Sequence, residues 1–213
     1  GAGVAVGDIN NDGLTDIYLS ANAITGKLYL NQGNFKFKDI TIGSGLDTIP
    51  GWKTGVTMVD INQDGFLDIY ICRSGQTRPR LRSNLLFVNN GDLTFTEKGA
   101  AYGLDDWGFS VQAAFFDYDL DGDLDMYLLN NSPNPERSIF KNFHDLDISR
   151  YTGDKIFNNK NGYFTEVKEF IGINRSKLGD GLGIAVADFN NDLYPDIYIS
   201  NDFAGRDYLY FNN

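Results

Sequence analysis

Four times the chain writes nearly the same phrase: oxygen-bearing side chains at alternate positions, a bend, a closing aspartate and then an apolar run. It reads Asp8-Ile-Asn-Asn-Asp-Gly-Leu-Thr-Asp16 and Asp60-Ile-Asn-Gln-Asp-Gly-Phe-Leu-Asp68. It returns as Asp117-Tyr-Asp-Leu-Asp-Gly-Asp-Leu-Asp125 and as Asp188-Phe-Asn-Asn-Asp-Leu-Tyr-Pro-Asp196. Such a loop can wrap a hard cation such as Ca²⁺, with glycine relieving the sharp turn. Repetition also makes the chain an array of like units, each needing neighbours to bury its apolar faces.

The loops account for much of the charge. Thirteen of the 29 acidic residues stand at loop positions one, three, five and nine, and the net charge is −11. That excess argues against nucleic acid and against anionic membrane surfaces. Hydrophobic residues make up 42% of the 213, enough for a core. Aromatic residues, mostly Phe and Tyr, reach 14%, which suits strands. Cys72 stands alone inside Ile-Tyr-Ile-Cys, so no disulfide framework exists and the thiol reads as a small buried hydrophobe. No apolar run is long enough for a transmembrane helix. No signal peptide is visible, and the chain opens inside a repeat, so it reads as a piece of something longer.

Each unit parses as four strands. One enters the loop (4–6, 55–59, 111–116, 183–187) and one leaves it with Ile-Tyr or Met-Tyr (16–20, 68–72, 125–129, 196–200). A third follows (27–31, 84–89, 155–158, 208–211), then a turn signal such as Gln32-Gly33, Asn90-Gly91 or Asn161-Gly162. The fourth alternates aromatic and polar residues (35–40, 93–97, 163–167), and the last unit has only three. The expected fold is all-β: a β-propeller of four-stranded antiparallel blades, about four of them present. The repeats run roughly 1–50, 51–107, 108–178 and 179–213 within one region. A row of separate hairpin domains is weaker, because a lone sheet apolar on both faces cannot bury them.

An EF-hand would close its loop with a glutamate at position twelve between helices. Position twelve here is Leu19, Ile71, Leu128 and Ile199, all in strand-like runs. Coordination must close at position nine, within a hairpin.

The pattern Gly-x-Ala-Val-x-Asp-x-Asn-x-Asp-Gly-x-x-Asp-Ile-Tyr resembles the FG-GAP or VCBS repeat of integrin-α-like propellers. The stretches Asn89–Glu97 and Ser200–Asn212 are similar to bacterial VCBS-repeat proteins related to the cartilage acidic protein family (CRTAC/ASPIC-like). This resemblance implies a calcium-bearing propeller of about seven blades, placed outside the cytoplasm. Many bacterial members resemble cell-surface lipoproteins, and family functions span adhesion, glycan binding and scaffolding.

By geometry and by this resemblance, positions one, three, five and nine supply side-chain oxygens, and position seven its carbonyl. Loop one gives Asp8, Asn10, Asp12, Leu14 and Asp16; loop two gives Asp60, Asn62, Asp64, Phe66 and Asp68. Loop three gives Asp117, Asp119, Asp121, Asp123 and Asp125, and with four carboxylates is expected to bind tightest. Loop four would use Asp188, Asn190, Asp192, Tyr194 and Asp196. There Leu193 stands where glycine is needed, so three or four Ca²⁺ are expected and the fourth is left open. Asx-turn hairpins without an ion are the plainer reading, but their converging acids would repel. No His or Lys adjoins the loops, so the metal reads as structural.

Antiparallel topology puts the hairpins at one end of each blade and the other connections at the opposite end. There the chain varies most. The second unit carries Arg73, Arg78, Arg80 and Arg82 within ten residues, and the third carries a long insertion over 130–153 with the only histidine, His144. Trp52 and Trp107 lie in connections between units. A recognition face is expected around Trp52, Trp107, Arg78, Arg80, Arg82 and the 130–153 loop. A solvated arginine loop and an incidental histidine are the plainer readings.

The function read from these features is a calcium-stabilised, non-enzymatic binding or scaffold propeller of a secreted or cell-surface protein. Its partners would be glycans or proteins, including an outer-membrane surface complex. A calcium-dependent, lyase-like enzyme acting on polysaccharide is the alternative, with His144, Tyr151 and the arginines as candidate groups, and a purely architectural spacer is a third. Four blades should form an open arc whose end faces await further blades; self-association or a compact four-bladed closure is the alternative.

Overall fold

Each repeat becomes one sheet. The computed structural model describes residues 3–22, 24–75, 78–131, 151–168, 172–173, 181–202 and 206–213. The first blade holds β1 (Val4–Gly7), β2 (Asp16–Leu19), β3 (Lys27–Asn31) and β4 (Phe37–Asp39). The second holds β5 (Lys53–Val59), β6 (Asp68–Arg73), β7 (Leu85–Asn89) and β8 (Phe95–Glu97). The third holds β9 (Ser110–Phe116), β10 (Asp125–Asn130), β11 (Lys155–Lys160) and β12 (Tyr163–Glu166). The fourth holds β13 (Gly181–Ala187), β14 (Asp196–Asn201) and β15 (Tyr208–Tyr210). Strands pair antiparallel in chain order, and the register recurs: Val6 faces Ile17, Met58 faces Ile69, Phe115 faces Met126 and Val186 faces Ile197. The expected all-β architecture of four blades is what forms. One helical turn, α1 (Gly99–Tyr102), and a 3₁₀ turn at Pro79–Leu81 were not anticipated.

The blades stand side by side through their first strands, β1 against β5, β5 against β9, β9 against β13. The three hydrophobic clusters therefore lie between blades. Tyr18 and Leu28 of the first blade pack with Val56, Ile69, Ile71 and Phe87 of the second. Tyr70 and Leu86 then pack with Met126, Leu128 and Phe157, and Tyr127 and Ile156 with Ile197 and Ile199. Strands such as β6 and β10 are buried along their whole length because both faces meet a neighbour. Cys72 is buried among them, as its sequence setting indicates. Hydroxyl groups stitch the inner strands: Ser20 Oγ donates to the Thr54 carbonyl, Thr54 Oγ1 to that of Ser110 and Thr57 Oγ1 to that of Ala113.

The arc is open. Val4 and Val6 on the outer face of the first blade are each 60% exposed, and Phe211 on the last is 56% exposed. Val56 and Val88, the counterparts of Val4 and Phe211 inside the arc, are buried.

Candidate metal loops and the opposite end

The four β1–β2-type hairpins share one hydrogen-bond scheme. The first aspartate accepts the N–H groups of residues five and six. For Asp8 these come from Asp12 and Gly13, for Asp60 from Asp64 and Gly65, for Asp117 from Asp121 and Gly122, and for Asp188 from Asp192 and Leu193. The fifth aspartate accepts the N–H of residue seven in every loop. The ninth is buried, and its two oxygens take N–H groups from residue two and from the end of the third strand. Asp16 takes Ile9 and Asn31, Asp68 takes Ile61 and Asn89, Asp125 takes Tyr118 and Asn159, and Asp196 takes Phe189 and Asn212. Each ninth aspartate thus ties its loop to the third strand of its own sheet.

Loop four adopts the same conformation despite lacking glycine. Leu193 holds φ of 74°, beside 83°, 89° and 98° at Gly13, Gly65 and Gly122. Residue four is also left-handed in every loop (Asn11, Gln63, Leu120, Asn191), a requirement the sequence pattern did not reveal. Asn and Gln there use their reach: Asn11 Nδ2 donates to the Gly65 carbonyl and Gln63 Nε2 to that of Gly122, each linking one loop to the next.

The donor set fits a hard cation. Oxygens of Asp117, Asp119 and Asp125 converge within 4.8 Å of one another. In loop one, Asn10 Oδ1 is buried with no hydrogen-bond donor, at the third position, where a cation would take it. A carboxylate accepting two N–H groups still has free lone pairs. Burial pushes Asp68 up to about 6 and Asp125 up to about 7, against their N–H bonds, and the neighbouring loop aspartates add to the rise. Asp8 and Asp188 lie lower than usual: burial opposes this, but the loop N–H groups outweigh it. A cation among these acids would reverse the like-charge repulsion. The side chains of Leu14, Phe66 and Tyr194 stand at position seven, where only the carbonyl would bind.

At the opposite end, the expected partner residues divide into two groups. Trp52, half-buried, lies so close to Gly75 that a Cβ there would fall 2.7 Å from the indole, and Arg78 and Arg80 are exposed on the same loop. Arg82 departs from the expected role. It is fully buried, its guanidinium 4.0 Å over the Phe109 ring, with Nε donating to the carbonyls of Trp107 and Gly108. It braces the connection on which Trp107 is exposed, and is itself shielded from solvent. Trp107, Tyr151, Lys155, Asp105 and Asp106 line a cavity of about 360 Å³ there, with Lys155 paired to Asp106. Of the 130–153 insertion, residues 132–150 and so His144 lie outside the described residues.

A latch the sequence did not announce sits before the third strand. Asp154 accepts from Tyr127 Oη (2.7 Å) and from the Asn130 N–H; Asp207 accepts likewise from Tyr198 and Asn201. In the second blade Asn84 takes the Arg73 N–H and donates to Tyr70 Oη. In the first blade Gly26 replaces it, and Tyr18 Oη is buried with no partner among the described residues. The recurring Tyr two residues after each loop was the available signal.

Residues 8–71 match the FG-GAP-like repeat family. Over 98 residues the chain is 34% identical to cartilage acidic protein 1 of Xenopus tropicalis, covering 46% of this chain and 14% of that protein. Over 202 residues it is 28% identical to cartilage acidic protein 1 of Mus musculus, covering 94% and 29%. It is also 34% identical to integrin alpha-8 of Gallus gallus over 82 residues, covering 32% and 8%. The chain spans less than a third of the length of each of these relatives.

Proposed function

We propose that this chain, an FG-GAP-like repeat protein, is a calcium-stabilised and non-enzymatic binding or scaffold region of a secreted or cell-surface protein. The observation that carries this reading is the division of labour between its two ends. One end repeats the same oxygen-lined hairpin four times; the other is irregular, exposes Trp107, Arg78 and Arg80, and holds the cavity beside Trp107. Asp8, Asn10, Asp12 and Asp16 and their counterparts would hold Ca²⁺ in three or four loops, with the carbonyls of Leu14, Phe66, Asp123 and Tyr194. Bound calcium would neutralise the acids and stiffen hairpins already linked loop to loop. Further blades would cover the outer faces of the first and last sheets, and a glycan or protein, at an outer-membrane or other cell surface, would meet the opposite end. Similarity to cartilage acidic protein 1 and an integrin alpha chain supports an extracellular setting. No helix among the described residues is long and apolar enough to cross a membrane.

Melting with Ca²⁺ and with EDTA tests the metal, and an unchanged Tm would remove it. A glycan array and pull-down with the joint Trp52, Trp107, Arg78 and Arg80 alanine variant test the binding end. Lost binding with unchanged calcium-dependent melting is expected; undiminished binding overturns the assignment.

A further inference from the structure

Two cationic side chains are buried together where blade two faces blade one. Lys53 and Arg73 are register partners on β5 and β6, at the end away from the metal loops, and are 1% and 4% exposed. Buried charges are ordinarily paired. Among the described residues neither makes an ion pair, and neither do Arg78 and Arg80 beyond them. The two loops nearest in sequence, 20–26 and 73–83, contain no acidic residue, and Asp47 in the preceding connection is exposed. Arg73 donates through its terminal nitrogens to the carbonyls of Ser83 and Pro50, but its Nε is buried with no acceptor among the described residues.

We propose that Lys53 and Arg73 form an anion-binding site for a carboxylate at the junction of blades one and two. The donors it would use are the Arg73 Nε–H and the Lys53 ammonium, on register partners of adjacent strands. With no ion pair to either cation among the described residues, a bound anion would supply their counter-charge. Burial and Arg73 together hold the Lys53 ammonium below its usual range, and a bound carboxylate would restore it. Trp52 on Gly75 and the exposed Arg78 and Arg80 flank the site on its loop. This assignment takes from the proposed binding end its location, not its chemistry.

The test is melting of the calcium-loaded chain against sodium acetate, for wild type and Lys53→Met, with glucose as the neutral control. Without acetate, Lys53→Met should melt at or above wild type, because it removes an unpaired buried charge. At ten times the dissociation constant, acetate should raise the wild-type Tm by about 3–6 °C. It should raise that of Lys53→Met by none of that increment. Equal shifts in both proteins, or a glucose effect as large as that of acetate, would overturn the site. Saturation-transfer NMR from wild-type protein to the acetate methyl group needs no variant, and absence of transfer would overturn it too. Glucuronate binding more tightly than acetate identifies a sugar acid as the source; equal binding identifies the carboxylate alone. Failure of the acetate effect leaves the array and pull-down experiment standing, and the reverse also holds.

Discussion

Asn89, on the third strand of the second blade, donates its side-chain amide to the carbonyl of Ile9 in the first metal loop, 2.8 Å away and 80 residues back. The same amide reaches the Leu67 carbonyl, while Asn89 Oδ1 accepts the Gly91 N–H. One buried side chain therefore holds two loops and a turn in place. Asn89→Ala would strand all three backbone groups and should cost about 2–3 kcal/mol in urea unfolding. Asn31, its counterpart in the first blade, bonds only within its own blade through Thr15 and Gly33. Asn31→Ala should cost about 1 kcal/mol or less. Equal losses would show that the link between blades adds nothing.

The repeated tyrosines should respond unequally to the same deletion. Tyr18 Oη is buried with no partner among the described residues, whereas Tyr127 Oη is bonded to Asp154 and Tyr70 Oη to Asn84 and the Leu104 carbonyl. Tyr18→Phe should be neutral or stabilising by up to about 1 kcal/mol. Tyr127→Phe and Tyr70→Phe should destabilise by about 1–2 kcal/mol. Uniform losses in denaturant midpoints would refute the asymmetry.

How these positions differ in legibility has a physical cause. Strand order and the four hairpins were readable because Asp, Asn and Gly at fixed offsets specify a local backbone path, and Ile-Tyr runs specify strands. Local spacing could not show that Arg82 lies under Phe109, because that contact depends on how two blades meet. Nor could it show the Asp154 latch, since the partner Tyr127 lies across the long insertion. The departure at Leu193 was visible as a missing glycine, yet the loop closes because Asp188 still collects the Leu193 N–H. Arginines clustered in sequence separate in space: Arg73 ends a strand between blades and Arg82 packs against Phe109 of the next connection, both buried, while Arg78 and Arg80 stay exposed on the loop.

Loop four can be relieved of its strain. Leu193 is 85% exposed and left-handed, so its side chain buries little while its Cβ opposes the backbone. Leu193→Gly should raise stability by roughly 0.5–1 kcal/mol, the left-handed penalty less the extra freedom glycine gives the unfolded chain. It should also strengthen calcium binding to that loop in isothermal titration. A destabilised variant would mean that the leucine side chain makes a contact worth more than the strain.

Metal binding and loop architecture are separable in loop three. Asp119 is exposed and joins the converging carboxylates, while Asp125 is buried and takes the N–H groups of Tyr118 and Asn159. Asp119→Ala should weaken calcium binding about tenfold or more, yet leave melting in EDTA within about 0.5 kcal/mol of wild type. Asp125→Ala should destabilise by about 2–4 kcal/mol even in EDTA, because two buried N–H groups lose their acceptor. If Asp119→Ala leaves calcium affinity unchanged, the cluster is not a metal site.

Asp154 should make stability depend on pH. Burial pushes its carboxyl up to about 6, although Tyr127 Oη and the Asn130 N–H favour the charged form. In the unfolded chain it titrates near 3.9. A group whose folded pKa is raised contributes stability that is complete below pH 4 and lost as pH rises through 6. Asp154→Asn removes that loss, and the second blade already uses Asn84 in this position, donating to Tyr70 Oη and accepting the Arg73 N–H. The variant should therefore gain on wild type as pH climbs from 4 to 6. The gain should level off above pH 7 at about 1–3 kcal/mol. Asp68 and Asp125 titrate with the same sign in metal-free protein, but they are common to both chains and cancel in the difference. Denaturant melts across pH 4–8 would show a flat difference if Asp154 were already ionised and well solvated in the folded protein.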